Sequence, residues 1–384
     1  MSYQLLCHPE GVVNEDRVQA AAAFAERELR LNAEAWDRGA ASPEAALRRI
    51  IPLVAPTLVP KALGGHGESV ATLLRCYEEL ARRDVGFTCA LAVHTAVTIA
   101  TSLSPNAALR EATLPGLKSG ESIGAFLLTE PQTGTDATAI TCAATPVAGG
   151  YRVSGAKAWV TNGRWADVFA TFCQTEPGSG AKGINAVILR RDMAGLSTSE
   201  ALDLTGNMAM GTTDAAFDGI GLTEADVAFA TGTAFRAAMY GIDVARLGVA
   251  AMCNGALAGA LDVALGYAAE RQTFGRAVID HQAMAFTLAE VATGLEASRA
   301  LTFQAARPFE AGAPVAALTA HAKKYACRTA FEGISQAMRA MGANALKRGS
   351  HLPRQLNGVR VTECMDGTGE VQNIVIARAL RAGR

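Results

Sequence analysis

Two short polar stretches joined by a strand-turn-strand pattern carry residue types suited to gripping a flat, polar-edged heterocycle. The first, LLTEPQTGTD (Leu127–Asp136), follows Phe126 and places Leu128, Thr129, Thr133 and Thr135 around a Pro-Gln-Thr-Gly turn. The second, KAWVTNG (Lys157–Gly163), ends a strand in Trp159-Val160-Thr161 and turns at Asn162-Gly163, a dipeptide that favours tight turns. An indole can stack on a ring system while hydroxyls and backbone groups meet its edges. Taken alone, each stretch also reads as an ordinary turn.

The chain around them has 384 residues, enough for two or three domains. It is 50% hydrophobic and 18% charged with a net charge of -1, a balance that excludes disorder and shows no basic stripe for nucleic acid. Pro9, Glu10, Asn14 and Glu15 interrupt any signal-peptide core, and Asn254 and Asp262 interrupt the most apolar later stretch, Ala250–Ala269. Eight cysteines lie scattered without a CxxC pair, and the six histidines show no metal-ligand spacing. These features predict free, buried thiols in a cytoplasmic protein with no metal and no membrane segment. His66 and His94 are expected to be loop or packed histidines.

Periodicity divides the chain into a helical region over 1–120, a β domain over 121–230 and a helical bundle over 231–384. Helical spacing marks Val18–Leu31, Glu68–Arg83 and Phe87–Ile99, and Ser42-Pro43-Glu44 reads as a helix start with Ser42 as N-cap. Strand-length apolar runs follow at Ile123–Leu128, Tyr151–Val160, Val168–Cys173 and Ile184–Leu189; the Glu176–Gly180 cluster reads as a hairpin loop rather than a phosphate cradle. Val249, Cys253, Leu257, Leu261 and Leu265 predict a long amphipathic helix, with further helices over Gln282–Ala306, Val315–Met341 and Val371–Arg381. The order is α+β: helices, an antiparallel sheet, then a four-helix bundle, not a βαβ alternation.

In this order the two opening stretches resemble the acyl-CoA dehydrogenase family of flavoproteins. ERQTFGRAVIDHQAMAFTLAEVA (Glu270–Ala292) resembles the family's Arg-x-x-Phe-Gly segment, nearest the medium-chain type, and DGTGEVQNIVIARAL (Asp366–Leu380) resembles its C-terminal Glu-Gly-Thr-x-x-x-Gln signature. The resemblance runs from about Lys61 to the C-terminus. It implies FAD held by Phe126, Leu128, Thr129, Thr135, Trp159, Val160 and Thr161, with Thr135 also touching substrate and Thr161 near flavin N5. Arg271, Thr273, Phe274, His281 and Gln282 match a segment that binds FAD across a subunit interface, which implies a homo-oligomer, dimer or tetramer. Arg339, Gly342 and Thr368 match further cofactor positions. Asp243, Arg246 and Gly367 match substrate-facing ones. The implied chemistry removes an α-proton from an acyl thioester as hydride leaves the β-carbon for flavin, with electrons passing to an electron-transfer flavoprotein in lipid or acid catabolism.

The base position departs from the pattern. It holds Asp366 where the family has Glu, and the helix position that supplies the base in other members is Ala245. Aspartate is shorter by one carbon–carbon bond, about 1.5 Å, a shift able to cost roughly a hundredfold on an unchanged substrate. A branched, cyclic or functionalised acyl-CoA that brings its α-carbon closer is one explanation. A nitroalkane-oxidase-like reaction is another; an acyl-carrier-protein thioester, a flavin reductase or a low-activity paralogue with a binding role complete the set. Arg339-Ala-Met-Gly342-Ala-Asn-Ala345 replaces a glycine-rich family loop, Met208–Thr212 replaces an Arg-Gly-Ser/Asp-Thr loop, and Asn357-Gly358 replaces an Arg-Asp pair.

Overall fold

The computed structural model describes residues 3, 5, 6, 12–347 and 349–382; Cys7 and the Pro9-Glu10 interruption lie outside them. Six helices come first: α1 (Glu15–Phe24), α2 (Arg30–Asp37), α3 (Glu44–Val54), α4 (Val70–Ala81), α5 (Val85–Leu103) and α6 (Ala107–Ser119). A π-helical turn over Ala25–Leu29 joins α1 to α2. Side-chain caps set the starts: Asp84 accepts the Phe87 amide at 2.7 Å and Ser69 accepts the Thr72 amide at 3.1 Å. At α3 the expected cap shifts by one residue. Pro43 occupies the cap position, its carbonyl accepts the Leu47 amide, and the Ser42 hydroxyl takes the Glu44 amide at 3.2 Å.

The sheet holds β1 (Gly124–Leu127), β2 (Ala143–Val147), β3 (Gly150–Val160), β4 (Val168–Gln174), β5 (Ile184–Arg190), β6 (Leu196–Thr198), β7 (Thr213–Leu222) and β8 (Val227–Phe229). Its order is β6-β7-β3-β2-β4-β5-β8, with β1 beside β4. Most pairs are antiparallel, including the β4–β5 hairpin closed by the Glu176–Gly180 loop; β1 runs parallel to β4, and β2 touches β4 in parallel through one residue. Strands β2, β6, β7 and β8 carry no long apolar run.

The bundle comprises α7 (Ala234–Glu270), α8 (Gln282–Glu310), α9 (Ala316–Met341), α10 (His351–Thr362) and α11 (Gly369–Ala382), with a small hairpin, β9 (Gln272–Thr273) and β10 (Arg276–Ala277), between α7 and α8. Helix α7 is not amphipathic as expected. Every residue from Leu247 to Leu261 is buried, because α4, α5, α8 and α9 all pack on it. A Cβ at Gly255 would lie 2.2 Å from the Glu78 carbonyl of α4, and one at Gly259 2.2 Å from the carbonyl of its C-cap, Arg82, so glycine lets these helices approach backbone to backbone. Helices α5 and α7 have the length and hydropathy of membrane-crossing helices, yet their apolar windows are 78% and 89% buried inside the protein; both are core helices here. A buried Arg299–Glu78 ion pair at 2.9 Å ties α8 to α4. Six of the described cysteines are buried free thiols, whereas Cys364 is exposed.

Candidate active site

Helices α5 and α7 enclose an apolar cavity of about 190 Å³, walled across the sheet by Phe126, Phe172 and Phe229 and floored by Met365 and Asp366. Alanines at 92, 96, 100, 237, 238 and 245 keep it open. Asp366 is the one carboxylate in the lining, and Ala245, the alternative base position, lines the same cavity without an acid. Cys89 of α5 and Met365 meet at 3.9 Å between sulfurs.

The turn carrying Asp366 is held from three sides. Asp366 has φ +50° and Gly367 φ +93°, a left-handed pair that only glycine adopts freely. The Asp366 carbonyl accepts Arg246 Nε at 3.2 Å and Gln372 Nε2 at 3.0 Å; the Gly367 carbonyl accepts Lys323 Nζ and Gln372 Nε2, each at 2.8 Å. Thr368 opens α11, its carbonyl accepting the Gln372 amide at 3.0 Å. Arg246 also donates to Asp243 at 3.2 Å, and Asp243 accepts the Thr319 hydroxyl at 2.8 Å. Asp243 and Arg246 therefore brace the acid-bearing turn and do not line the cavity. The Asp366 side chain and its backbone N–H bond to no described residue. Burial pushes its pKa up, and the Lys323 and Arg246 charges pull it part of the way back.

The two opening stretches meet as neighbours. The Ala158 amide donates to the Thr129 carbonyl at 3.0 Å, and Lys157 Nζ donates to the Leu128 carbonyl at 3.0 Å and to Glu130 at 2.8 Å. Both members of that ion pair are buried, and Glu130 further accepts the Thr141 and Cys142 amides at 2.7 and 2.9 Å. Burial alone would raise Glu130; the Lys157 charge and these hydrogen bonds outweigh it and hold the carboxyl below its usual range. Strand β3 bulges against β7 between Lys157 and Val160, an extra residue that re-aims the chain. Trp159 sits in the bulge with φ +58° and 60% of its surface exposed. Val160 and Thr161 behind it are buried.

Asn162 does more than turn the chain. With φ +66° it sends its side-chain amide to the Ala90 carbonyl of α5 at 2.8 Å and to the Gly124 carbonyl of β1 at 3.0 Å. His94, packed as expected, links the same elements. It accepts the Gly124 amide on Nδ1 at 2.9 Å, which leaves Nε2 to donate to Leu117 at 2.9 Å. Burial lowers its pKa to about 4. The Met208–Met210 turn joins in, its Met210 carbonyl accepting the Asn162 amide at 2.8 Å. The hydroxyls of Thr129, Thr135 and Thr161 make no bond within the described residues, and the Trp159 indole is exposed; none of these four residues lines the cavity.

The remaining matched residues lie elsewhere in the chain. Arg271 and Phe274 are exposed on the β9–β10 hairpin, Phe274 at 98%, and Thr273 accepts or donates to His281 Nε2 at 3.1 Å. Gln282 starts α8 and is exposed. Arg339 is exposed and donates to Gln336 at 2.9 Å; Gly342 follows with φ +58° and open space around it. Asn344 reaches Tyr267 at 2.9 Å, which places this turn beside the far end of α7. Along α7, Arg271 is some 25 residues from Arg246, about 38 Å at 1.5 Å per residue. The hairpin residues therefore lie far along α7 from the acid-bearing turn. Sequence reasoning missed Lys323, Gln372 as a clamp, the Glu130–Lys157 pair and the Asn162 tethers.

Comparison with known proteins agrees with this layout. The acyl-CoA dehydrogenase N-terminal, middle and C-terminal domain families match residues 14–121, 125–220 and 232–381. An acyl-CoA dehydrogenase of Bacillus subtilis is 32% identical over 85% of this chain and 86% of its own. A short-chain-specific acyl-CoA dehydrogenase of Clostridium acetobutylicum is 32% identical over 83% and 84%. The butyryl-CoA dehydrogenase structure from Megasphaera elsdenii superposes with a TM-score of 0.93 at 28% identity, covering 98% of this chain and 100% of that one. Three domains in register and one acid at the floor of an apolar cavity have a single explanation: the chain belongs to the acyl-CoA dehydrogenase family.

Proposed function

We propose that this chain catalyses FAD-dependent α,β-dehydrogenation of an acyl thioester, with Asp366 as the base. The carrying observation is that Asp366 is the one carboxylate lining the α5–α7 cavity, raised in pKa by burial and bonded to no other side chain. A carboxylate dried by bound substrate is a stronger base than one in water. The Asp366 N–H meets no acceptor among the described residues, so it is free to donate to a thioester carbonyl as enolate charge develops. Apolar α5 and α7 walls exclude water from the acyl group.

The protein residues present suit FAD. Trp159 offers a ring face, Thr129, Thr135 and Thr161 offer hydroxyls, and Phe126, three residues before Thr129, lines the cavity. FAD would supply the acceptor for the β-hydride. An acyl-CoA whose α-carbon approaches the shorter acid closely, such as a branched, cyclic or functionalised one, suits Asp366 best. An electron-transfer flavoprotein is the expected electron acceptor, and the protein is expected to work in the cytoplasm as a homo-oligomer.

The test is anaerobic loss of oxidised-flavin absorbance with a panel of acyl-CoAs and nitroethane. Reduction by an acyl-CoA supports the dehydrogenase reading. Reduction by nitroethane alone would overturn it in favour of a nitroalkane-oxidase-like reaction.

A further inference from the structure

We propose that Lys323 of α9 is a positioning residue that fixes the aim of Asp366 and supplies the positive field in which its carboxylate works. The inference rests on Asp366 being the base. Lys323 is 1% exposed and donates to the Glu363 carbonyl at 3.1 Å and to the Gly367 carbonyl at 2.8 Å. Those two carbonyls bracket the Cys364–Asp366 turn, so one ammonium pins it on both sides. A neutral amide can serve such carbonyls equally well, as Gln372 does at Gly367.

A buried ammonium without a carboxylate partner is costly, and Lys323 has no ion pair among the described residues. Its charge therefore needs a use beyond bonding. The groups facing Asp366 from each packed element leave one candidate. From α7 comes Arg246, already shared with Asp243 at 3.2 Å. From α5 comes Cys89, a thiol that burial pushes far above its usual range and so keeps neutral. Glu363, at the end of α10, pairs with Arg360 at 2.6 Å. Lys323, on α9, is the cation not neutralised by a carboxylate. Consistent with this, its charge is the larger of the two that draw the Asp366 pKa down against burial. The base must be ionised before it can take a proton, yet it sits in an apolar cavity that disfavours charge. A fixed ammonium behind the turn offsets that without bonding the carboxylate oxygens.

The experiment compares Lys323→Gln, Lys323→Met and Lys323→Arg in the FAD-loaded enzyme. One readout is the pH dependence of anaerobic flavin reduction by an acyl-CoA that reduces the wild type. The other, without substrate, is titration of the carbon-13-labelled Asp366 carboxyl signal, identified by its loss in Asp366→Asn. Lys323→Gln and Lys323→Met should move both midpoints up by about one unit or more, and Lys323→Arg should restore them. Lys323→Gln keeps a donor for the carbonyls, so it answers the question even if Lys323→Met melts early. A uniformly slower enzyme with both midpoints unmoved would reduce Lys323 to a structural clamp and overturn the inference alone. Undiminished reduction by Asp366→Asn would instead remove the base assignment, and the inference with it.

Discussion

At Trp159, Asn162, Phe274 and Asp366 the backbone adopts a positive φ that side chains disfavour, and no other described non-glycine residue does so. Such strain costs of order 1–3 kcal/mol per residue, and here it falls on the indole patch, its anchor, the exposed hairpin tip and the candidate base. Replacing Asp366 with Asn keeps the turn's shape and removes the proton acceptor. Asp366→Asn should retain FAD yet lose flavin reduction by acyl-CoA by at least about 10²-fold, measured by stopped-flow absorbance. In the wild type the rate should rise with pH through a midpoint above the ordinary aspartate range, since burial raises the acid. His94 gives a separate pH effect, on stability. Its folded pKa of about 4 lies below the unfolded value of about 6.5. Between these values the unfolded chain binds the proton and the folded one does not. The stabilising effect is whole above pH 6.5 and declines as pH falls toward 4, by up to about 3 kcal/mol. Denaturant titrations of wild type and His94→Asn should therefore show a gap that narrows by that amount between pH 7 and 4.

Within elements, the β3 bulge and the turn after β1 are coupled by a buried ion pair, and that pair sets what a mutation there does. Lys157→Gln leaves Glu130 charged with no cation in a buried site, so it should destabilise the fold by about 3–5 kcal/mol. Lys157→Met combined with Glu130→Leu should cost less than the single change, which thermal melting of the three proteins would check. Long apolar runs made β1, β3, β4 and β5 legible within one or two residues; the KAWVTNG stretch singled out Trp159, and the family resemblance singled out Asp366. Strand β7 is not legible as an apolar run although Thr213, Ala215, Phe217, Ile220 and Leu222 are buried and alternate with more exposed residues; Ala and Gly dilute its pattern. Helix α10 carries few apolar residues and was likewise passed over. The Asn162 side chain reaches residues 72 and 38 positions away, and Lys323 acts on a carbonyl 44 positions away. Periodicity reports which face is buried, not which distant carbonyl a buried cation serves, so these roles needed three dimensions.

On the scale of the whole molecule, the separation of the two matched cofactor clusters argues for assembly. The cavity lies at the start of α7, whereas Arg271 and Phe274 project beyond its other end, about 38 Å along the helix from Arg246. That length of helix separates the hairpin from the acid-bearing turn, so the expected homo-oligomer is what would bring a cofactor to the hairpin. Phe274 and Gly275 both have positive φ, 50° and 77°, as a two-residue type I′ hairpin requires. Asparagine would fill the first position more easily. A phenylalanine held there at 98% exposure meets only the edge-on His281 ring, 6.1 Å between centroids, and a second copy presenting its cofactor at the hairpin would cover the rest. Phe274→Asn should therefore leave the protomer's melting temperature unchanged or slightly raised while FAD retention falls. If copies share the cofactor, diluting the wild type should release FAD as they dissociate, followed by flavin fluorescence and sedimentation on the same samples. Retention of FAD by a monomer at every dilution would place the whole cofactor within one chain and exclude a role for the hairpin in a neighbour's site.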